Sequence, residues 1–284
     1  MKIFISKLFV LVFTFFITIS MKAQDFQGRA YYISKTDVDM SNFGRPDMPE
    51  DQKKRMAERL KSMFEKNYIL TFNKTESIYK VEEQLETPNQ GRGGGRFGAV
   101  MSGAVDGIKY KNIKTNQFLS EHELFGKLFL IKGELPKLEW KMTGETKQIG
   151  AYMCFKATAI KTWEDFDMTS LRRPPNRDEG NTEEEKPITE DEKDKEVEVV
   201  AWYTMQIPVN QGPGDYSGLP GLILEINTDK TIILCSKITL NPDDKSTIKE
   251  PSKGKVVTKA EYVDIATKKF QEMRENFRRG GGRR

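Results

Sequence analysis

Gly212-Pro213-Gly214-Asp215-Tyr216-Ser217-Gly218-Leu219-Pro220-Gly221-Leu222-Ile223-Leu224-Glu225-Ile226 sets chain-breaking residues directly against an apolar run. Proline at the second position of a turn presets φ, and glycine at the third accepts a positive φ, so Leu219 to Leu222 reads as a type II turn centred on Pro220 and Gly221. A strand is expected at once, with Leu222, Leu224 and Ile226 alternating onto one face. Asn227-Thr228-Asp229-Lys230 then turns the chain into Thr231 to Ile238, which completes a hairpin.

Upstream, Val197 to Ile207 alternates in the same way. Val197, Val199, Ala201, Tyr203 and Met205 fall on one side and Val200, Trp202, Thr204 and Gln206 on the other. Thr146 to Ile160 is one long β-prone run. The block Gly218-Leu219-Pro220-Gly221-Leu222-Ile223 is letter for letter the signature of the GLPGLI family, which this chain resembles. Ile149 to Ala157, and Trp202-Tyr203-Thr204 with Ile207-Pro208, resemble the blocks that precede the signature in that family. The resemblance spans Ile149 to Ile226 and implies an exported Gram-negative protein, without implying an activity.

The rest of the chain supplies more strands and two helices. Asp25 to Lys35 reads as a first strand. Asp47, with Glu50 three residues on, opens a predicted helix running to about Lys66, with Met56, Leu60, Met63 and Phe64 at helical spacing. Tyr68 to Phe72 and Ser77 to Val81 are expected to pair as a hairpin. A meander of Gly107 to Ile113, Gln117 to Leu124, Gly126 to Ile131 and Lys137 to Met142 follows. Thr258-Lys259-Ala260-Glu261 is a capping box. It opens a helix that carries Val263, Ala266, Phe270, Met273 and Phe277 on one face, ends near Gly280 and packs on the sheet. The fold class expected is mainly β (β-rich α+β): a curved antiparallel sheet or half-open barrel of about ten strands, with one helix near the N-terminus and one at the C-terminus.

The 284 residues carry 31% charged and 37% hydrophobic side chains with a formal net charge of only +4, a total that points to neither nucleic acid nor a membrane surface. The charge is unevenly spread, however. Trp163 to Glu196 holds 13 acidic and 6 basic residues, whereas Ser252 to Arg284 holds 4 acidic and 10 basic. Met1-Lys2 with Lys7, the apolar run Leu8 to Ser20 and the small Ala23 make residues 1–23 a signal peptide, placing the mature chain in the periplasm or outside the cell. With no cysteine near that point there is no acceptor for a lipid anchor, and no integral membrane segment is expected after cleavage. Residues 24–279 then form one domain, interrupted by a Gly/Arg-rich loop at 88–104 and an acidic insertion at 167–196, and followed by a basic tail at 280–284. Pro174-Pro175 and Glu183-Glu184-Glu185 leave the insertion too little apolar surface to offset its ordering entropy.

Catalytic and metal chemistry has little to work with. His122 is the only histidine, so a multi-histidine zinc site is excluded, and no C-x-x-C pair is present. A Ser-His-Asp system would have to use His122, and no Gly-x-Ser-x-Gly elbow supplies a serine. His122 therefore reads as an exposed strand residue. Gly93-Gly94-Gly95-Arg96-Phe97-Gly98 fits the dinucleotide pattern by spelling alone, since neither a buried strand nor a periodic helix flanks it. Met48, Met56 and Met63 read as core packing and not as soft metal ligands. The acidic run lacks the spacing of a calcium loop. No metal, cofactor or nucleic acid is called for.

Two residue sets remain. Asp215 and Glu225 flank the signature as the carboxylates to test in a hydrolase reading. Cys154 and Cys235 are the only cysteines and candidates for a disulfide; Lys156 and Lys237 two residues later would place both on a partly wet sheet face. The leading functional expectation is a non-catalytic periplasmic binding or accessory protein of the cell envelope, taking an apolar ligand or an outer-membrane protein partner. Its candidate surface is Trp202, Tyr216, Leu219 and Pro220. A purely structural envelope or stress protein and a carboxylate-dependent hydrolase are the alternatives.

Overall fold

The computed structural model describes residues 26–37, 49–52, 54–55, 58, 65–82, 107–163, 195–229, 231–244 and 247–280. Twelve strands form a single open sheet. They are β1 (Gln27–Thr36), β2 (Glu65–Asn73), β3 (Glu76–Val81), β4 (Ile108–Asn112), β5 (Gln117–Leu124), β6 (Lys127–Glu134), β7 (Lys141–Ile149), β8 (Tyr152–Trp163), β9 (Lys195–Thr204), β10 (Leu222–Thr228), β11 (Thr231–Leu240) and β12 (Lys255–Val257). Their spatial order is β12-β6-β5-β4-β3-β2-β1-β11-β10-β9-β8-β7. Helical residues occur within 50–58, and a C-terminal helix spans Lys259–Gly280. The mainly β architecture with a helix towards each end matches the expectation, and the sheet stays open because neither β7 nor β12 finds the other.

All ladders are antiparallel except β12 on β6. β1 sits in the middle, paired with β2 on one side and β11 on the other. Register shifts at Tyr31/Tyr32, Ile223/Glu225 and Met142/Thr146 insert bulges, which bend the strands that carry them. Ala30, Tyr32, Leu70, Phe72 and Leu222 centre one core cluster, and Ala201, Tyr216, Leu219 and Ile223 a second. A third joins Leu124, Phe129 and Ile131 to Tyr262, Ala266 and Phe270 of the helix.

Both predicted hairpins form, β2–β3 and β10–β11. At the first, Asn73 Oδ1 accepts from the amides of Thr75 (2.8 Å) and Glu76 (2.6 Å), closing the turn through its own side chain. The C-terminal capping box is also formed. The Thr258 amide donates to Glu261 Oε2 at 2.7 Å, and the Glu261 amide to Thr258 Oγ1 at 3.2 Å.

Three expectations are corrected, and one strand was not anticipated. Thr146 to Ile160 is not one strand: the chain turns at Gly150-Ala151 and splits the run between β7 and β8. Residues 137–140, expected to open a strand, are irregular, and β7 begins at Lys141. Glu65 and Lys66, assigned to the first helix, already pair in β2 with Lys35 and Ser34. The short parallel β12 was not foreseen, because three residues carry no readable alternation. Residues 1–23, the loop at 88–104, positions 167–194 and the Met48, Met56 and Met63 stripe lie outside the described residues, while Lys195 and Glu196 open β9.

Candidate functional site

The signature turns inward. Leu219 is fully buried and Tyr216 nearly so, both packed against Ala201, Tyr203 and Ile223, while Pro220 is exposed. The positive φ expected of Gly221 belongs instead to Gly218 at 95°. Gly221 answers a different demand: a Cβ there would stand 2.1 Å from the Thr204 carbonyl oxygen, so glycine is needed for the close approach of two backbones. Nor does Leu222 close a type II turn, since its amide donates to Ile207 O at 3.0 Å.

Buried polar groups pin the segment from several strands. Lys111 of β4, 1% exposed, donates from Nζ to Gly212 O at 2.6 Å and Tyr216 O at 2.7 Å. Desolvation pulls its amine down from 10.5 to about 7; Asp215 opposes that shift and Lys109 reinforces it. Lys161 Nζ binds Asp215 Oδ2 at 2.7 Å and lies 4.7 Å from the Tyr216 ring centroid. Burial alone would raise the Asp215 carboxyl, but Lys161 and Lys109 hold it well below the usual range. Ser77 Oγ donates to Gln211 Oε1 at 2.8 Å, Trp140 Nε1 to Ser217 O at 2.9 Å, and Tyr32 Oη to Ile223 O at 2.6 Å.

These placements dismantle two sequence readings. Asp215 and Glu225 do not form a carboxylate pair. Glu225 is in register with Trp202, which points away from the Ala201–Tyr203 side where Tyr216 packs, and Lys147 Nζ holds Glu225 at 2.7 Å while lying over Trp202 at 4.3 Å. For the same reason Trp202, Tyr216, Leu219 and Pro220 are not one surface. A cavity of about 280 Å³ does adjoin Ser217 and Gly218, but it is lined by Asn116, Lys137 and Asn210 as well as Leu135 and Leu138, and so is not a continuous apolar space under the signature.

His122 is buried and not exposed: its Nε2 lies 2.7 Å from Ser120 Oγ, and its ring packs 5.1 Å from that of Tyr262. Cys154 and Cys235 share a core cluster as free thiols, both buried and not on a wet face. Along β11 the Cys-x-Lys argument fails because of the bulge. Cys235 pairs with Tyr32 but Lys237 with the adjacent Tyr31, over whose ring its Nζ stands at 5.3 Å.

The larger cavity lies elsewhere, about 790 Å³ between the C-terminal helix and the β5–β6 hairpin. Its size falls within the roughly 300–1,000 Å³ of small-molecule sites. Leu124 and Phe129 form a buried floor, and Phe125, Ile265 and Met273 the walls. Lys127, Lys255, Lys269, Glu272 and Asn276 stand at the exposed rim. The turn joining β5 to β6 is Phe125-Gly126, since Leu124 and Lys127 are register partners, and its φ values of 51° and 76° are both positive. That two-residue turn ordinarily takes Asn or Gly at its first position; a bulky side chain there is a true outlier. The Phe125 ring reaches across to Phe270 of the helix, 5.4 Å between centroids, and closes one side of the groove. Sequence reasoning passed over this site, although an aromatic beside glycine between two β runs was there to be read.

Among known proteins, residues 140–225 match the family described as "Protein of unknown function (Porph_ging)", a span that includes most of the stretch carrying the sequence resemblance. No curated protein matches the chain. Two solved structures, both of PNGF-II, are similar to it: in the C2 crystal form at a TM-score of 0.47 and 12% identity over 86% of this chain and 33% of that one, and in the P21 form at 0.45 and 14% over 86% and 34%. The chain thus spans about a third of the length of those structures, and over residues 140–225 it is similar to an uncharacterised family.

Proposed function

We propose that this is a non-catalytic, exported GLPGLI-type binding or accessory protein of the cell envelope whose ligand site is the groove between the C-terminal helix and the β5–β6 hairpin. The observation that carries the reading is Phe125. Left-handed backbone costs a non-glycine residue about 1–2 kcal/mol; conformations of that kind persist where surrounding contacts hold them, and they cluster at ligand-binding and active sites. Here the strained residue provides one wall of an apolar cavity. The leader-like residues 1–23 and the family resemblance support an exported protein. The signature, with its buried lysines and close backbone contact, serves as internal scaffolding in this reading.

The test is binding of N-phenyl-1-naphthylamine, a neutral apolar fluorophore, to the purified mature chain, alongside native mass spectrometry of protein taken from the periplasm. Saturable fluorescence that Ile265→Trp abolishes, with a retained apolar ligand in the native spectrum, is the expected outcome. Absence of both signals in a folded protein removes the reading. The structural alternative predicts instead that Tyr216→Phe and Leu219→Ala lower stability in proportion to any envelope phenotype, and that filling the groove has none.

A further inference from the structure

We infer that the groove is selective for single-chain amphiphiles with an acidic head group, of the long-chain carboxylate class. This rests on the groove being a ligand site, and concerns what the rim adds to it. The floor and walls offer only hydrocarbon and aromatic surface to a ligand's tail. The rim carries three lysines against one glutamate, and Lys269 is engaged with that glutamate at 2.6 Å. Among the described residues neither Lys127 nor Lys255 is in a salt bridge, although Lys255 lies near enough to Glu261 of the capping box to help hold that carboxyl down.

Their placement follows from the strand registers. Lys127 opens β6 opposite Leu124 of the floor, and Lys255 opens β12 opposite Phe129 of the floor. Two ammonium groups thus start from backbone positions beside the same apolar base, on strands that the sheet holds in register. An apolar tail with an anionic head satisfies both parts of such a site. A cationic head would be repelled, and a neutral one would gain from the floor alone.

The experiment displaces bound N-phenyl-1-naphthylamine with dodecanoate, 1-dodecanol or dodecyltrimethylammonium, each below its micellar concentration. Dodecanoate is expected to displace at a concentration at least tenfold below that of the other two, and added salt is expected to weaken dodecanoate alone. In the double variant Lys127→Gln/Lys255→Gln, whose side chains are exposed, displacement by each amphiphile is read relative to that variant's own fluorophore affinity, and dodecanoate is expected to lose its advantage over the other two. Equal displacement by all three, with the fluorophore still bound, overturns the selectivity while leaving the ligand site standing. Failure to bind the fluorophore at all removes both. Co-sedimentation with phosphatidylglycerol vesicles, without displacement by monomeric dodecanoate, makes the face a membrane-docking surface and also overturns the proposal.

Discussion

Lys111 is a buried lysine whose charged form the fold disfavours. A deprotonated amine still has two N–H groups, enough for Gly212 O and Tyr216 O. Because its folded value near 7 lies below the ordinary 10.5, the unfolded chain holds more protons between those values. Stability contributed by this residue therefore rises as pH climbs from about 7 towards 10. Urea unfolding of wild type and Lys111→Met at pH 6, 7.5 and 9 should show the wild type gaining on the variant at each step; a constant difference would mean that Lys111 does not titrate in that window. At alkaline pH the variant should be weaker by about 1–3 kcal/mol for each carbonyl left without its donor. The cysteines give a second check at this scale. Burial lifts Cys154 to about 11 and Cys235 to about 12, so neither should react with maleimide in the native protein at pH 7.5. Both should label once unfolded without reductant; failure there would show that the pair is oxidised in its own compartment.

Among elements, the β5–β6 hairpin sets backbone preference against side-chain contact. In Phe125→Asn the turn gains a residue suited to left-handed φ and loses the ring packed on Phe270. The two effects are each on the order of 1 kcal/mol and oppose one another, so the melting temperature should move by only a few degrees while fluorophore binding weakens several-fold. A loss of binding matched by a large loss of stability would make Phe125 a packing residue only. The elements also divide by how local their signals are. Asn73 and Thr258 act within three residues of themselves, and the hairpin and helix start they define were readable from the chain. The break at Gly150-Ala151 was hidden because the residues on both sides favour strand equally well. β12 exists only because β6 offers it a partner. The opposition of Asp215 and Glu225 depends on which side of β9 each element packs, and burial of Lys111 and Lys161 depends on strands far apart in sequence; no periodicity announces either. The groove has the same origin, being made by a hairpin and a helix more than a hundred residues apart.

At the scale of the whole molecule, the sheet is two meanders joined edge to edge. β1 to β6 run in order to one side, β11 back to β7 to the other, and the β1–β11 ladder joins them. Within the second meander β8 and β9 stay in register to their last pair, Trp163 with Lys195. Replacing residues 164–194 with Asn-Gly should therefore leave an ordinary two-residue hairpin and a melting temperature within a few degrees of wild type. Cooperative unfolding lost in that variant would mean that the acidic stretch contributes to the fold.

The central place of β1 also bears on how the chain is made. Synthesis delivers β1 first and β11 some two hundred residues later, so a nascent chain can seat one edge of β1 against β2 while the other edge has nothing to pair with. Ala30-Tyr31-Tyr32-Ile33 then presents an open, apolar strand edge of the kind that recruits other chains. Chains stopped at Asp229 should accordingly aggregate, whereas those extended through Leu240 should not. Light scattering during cell-free synthesis would detect the difference, and a folding helper acting on this protein would be needed most in the interval between those two points.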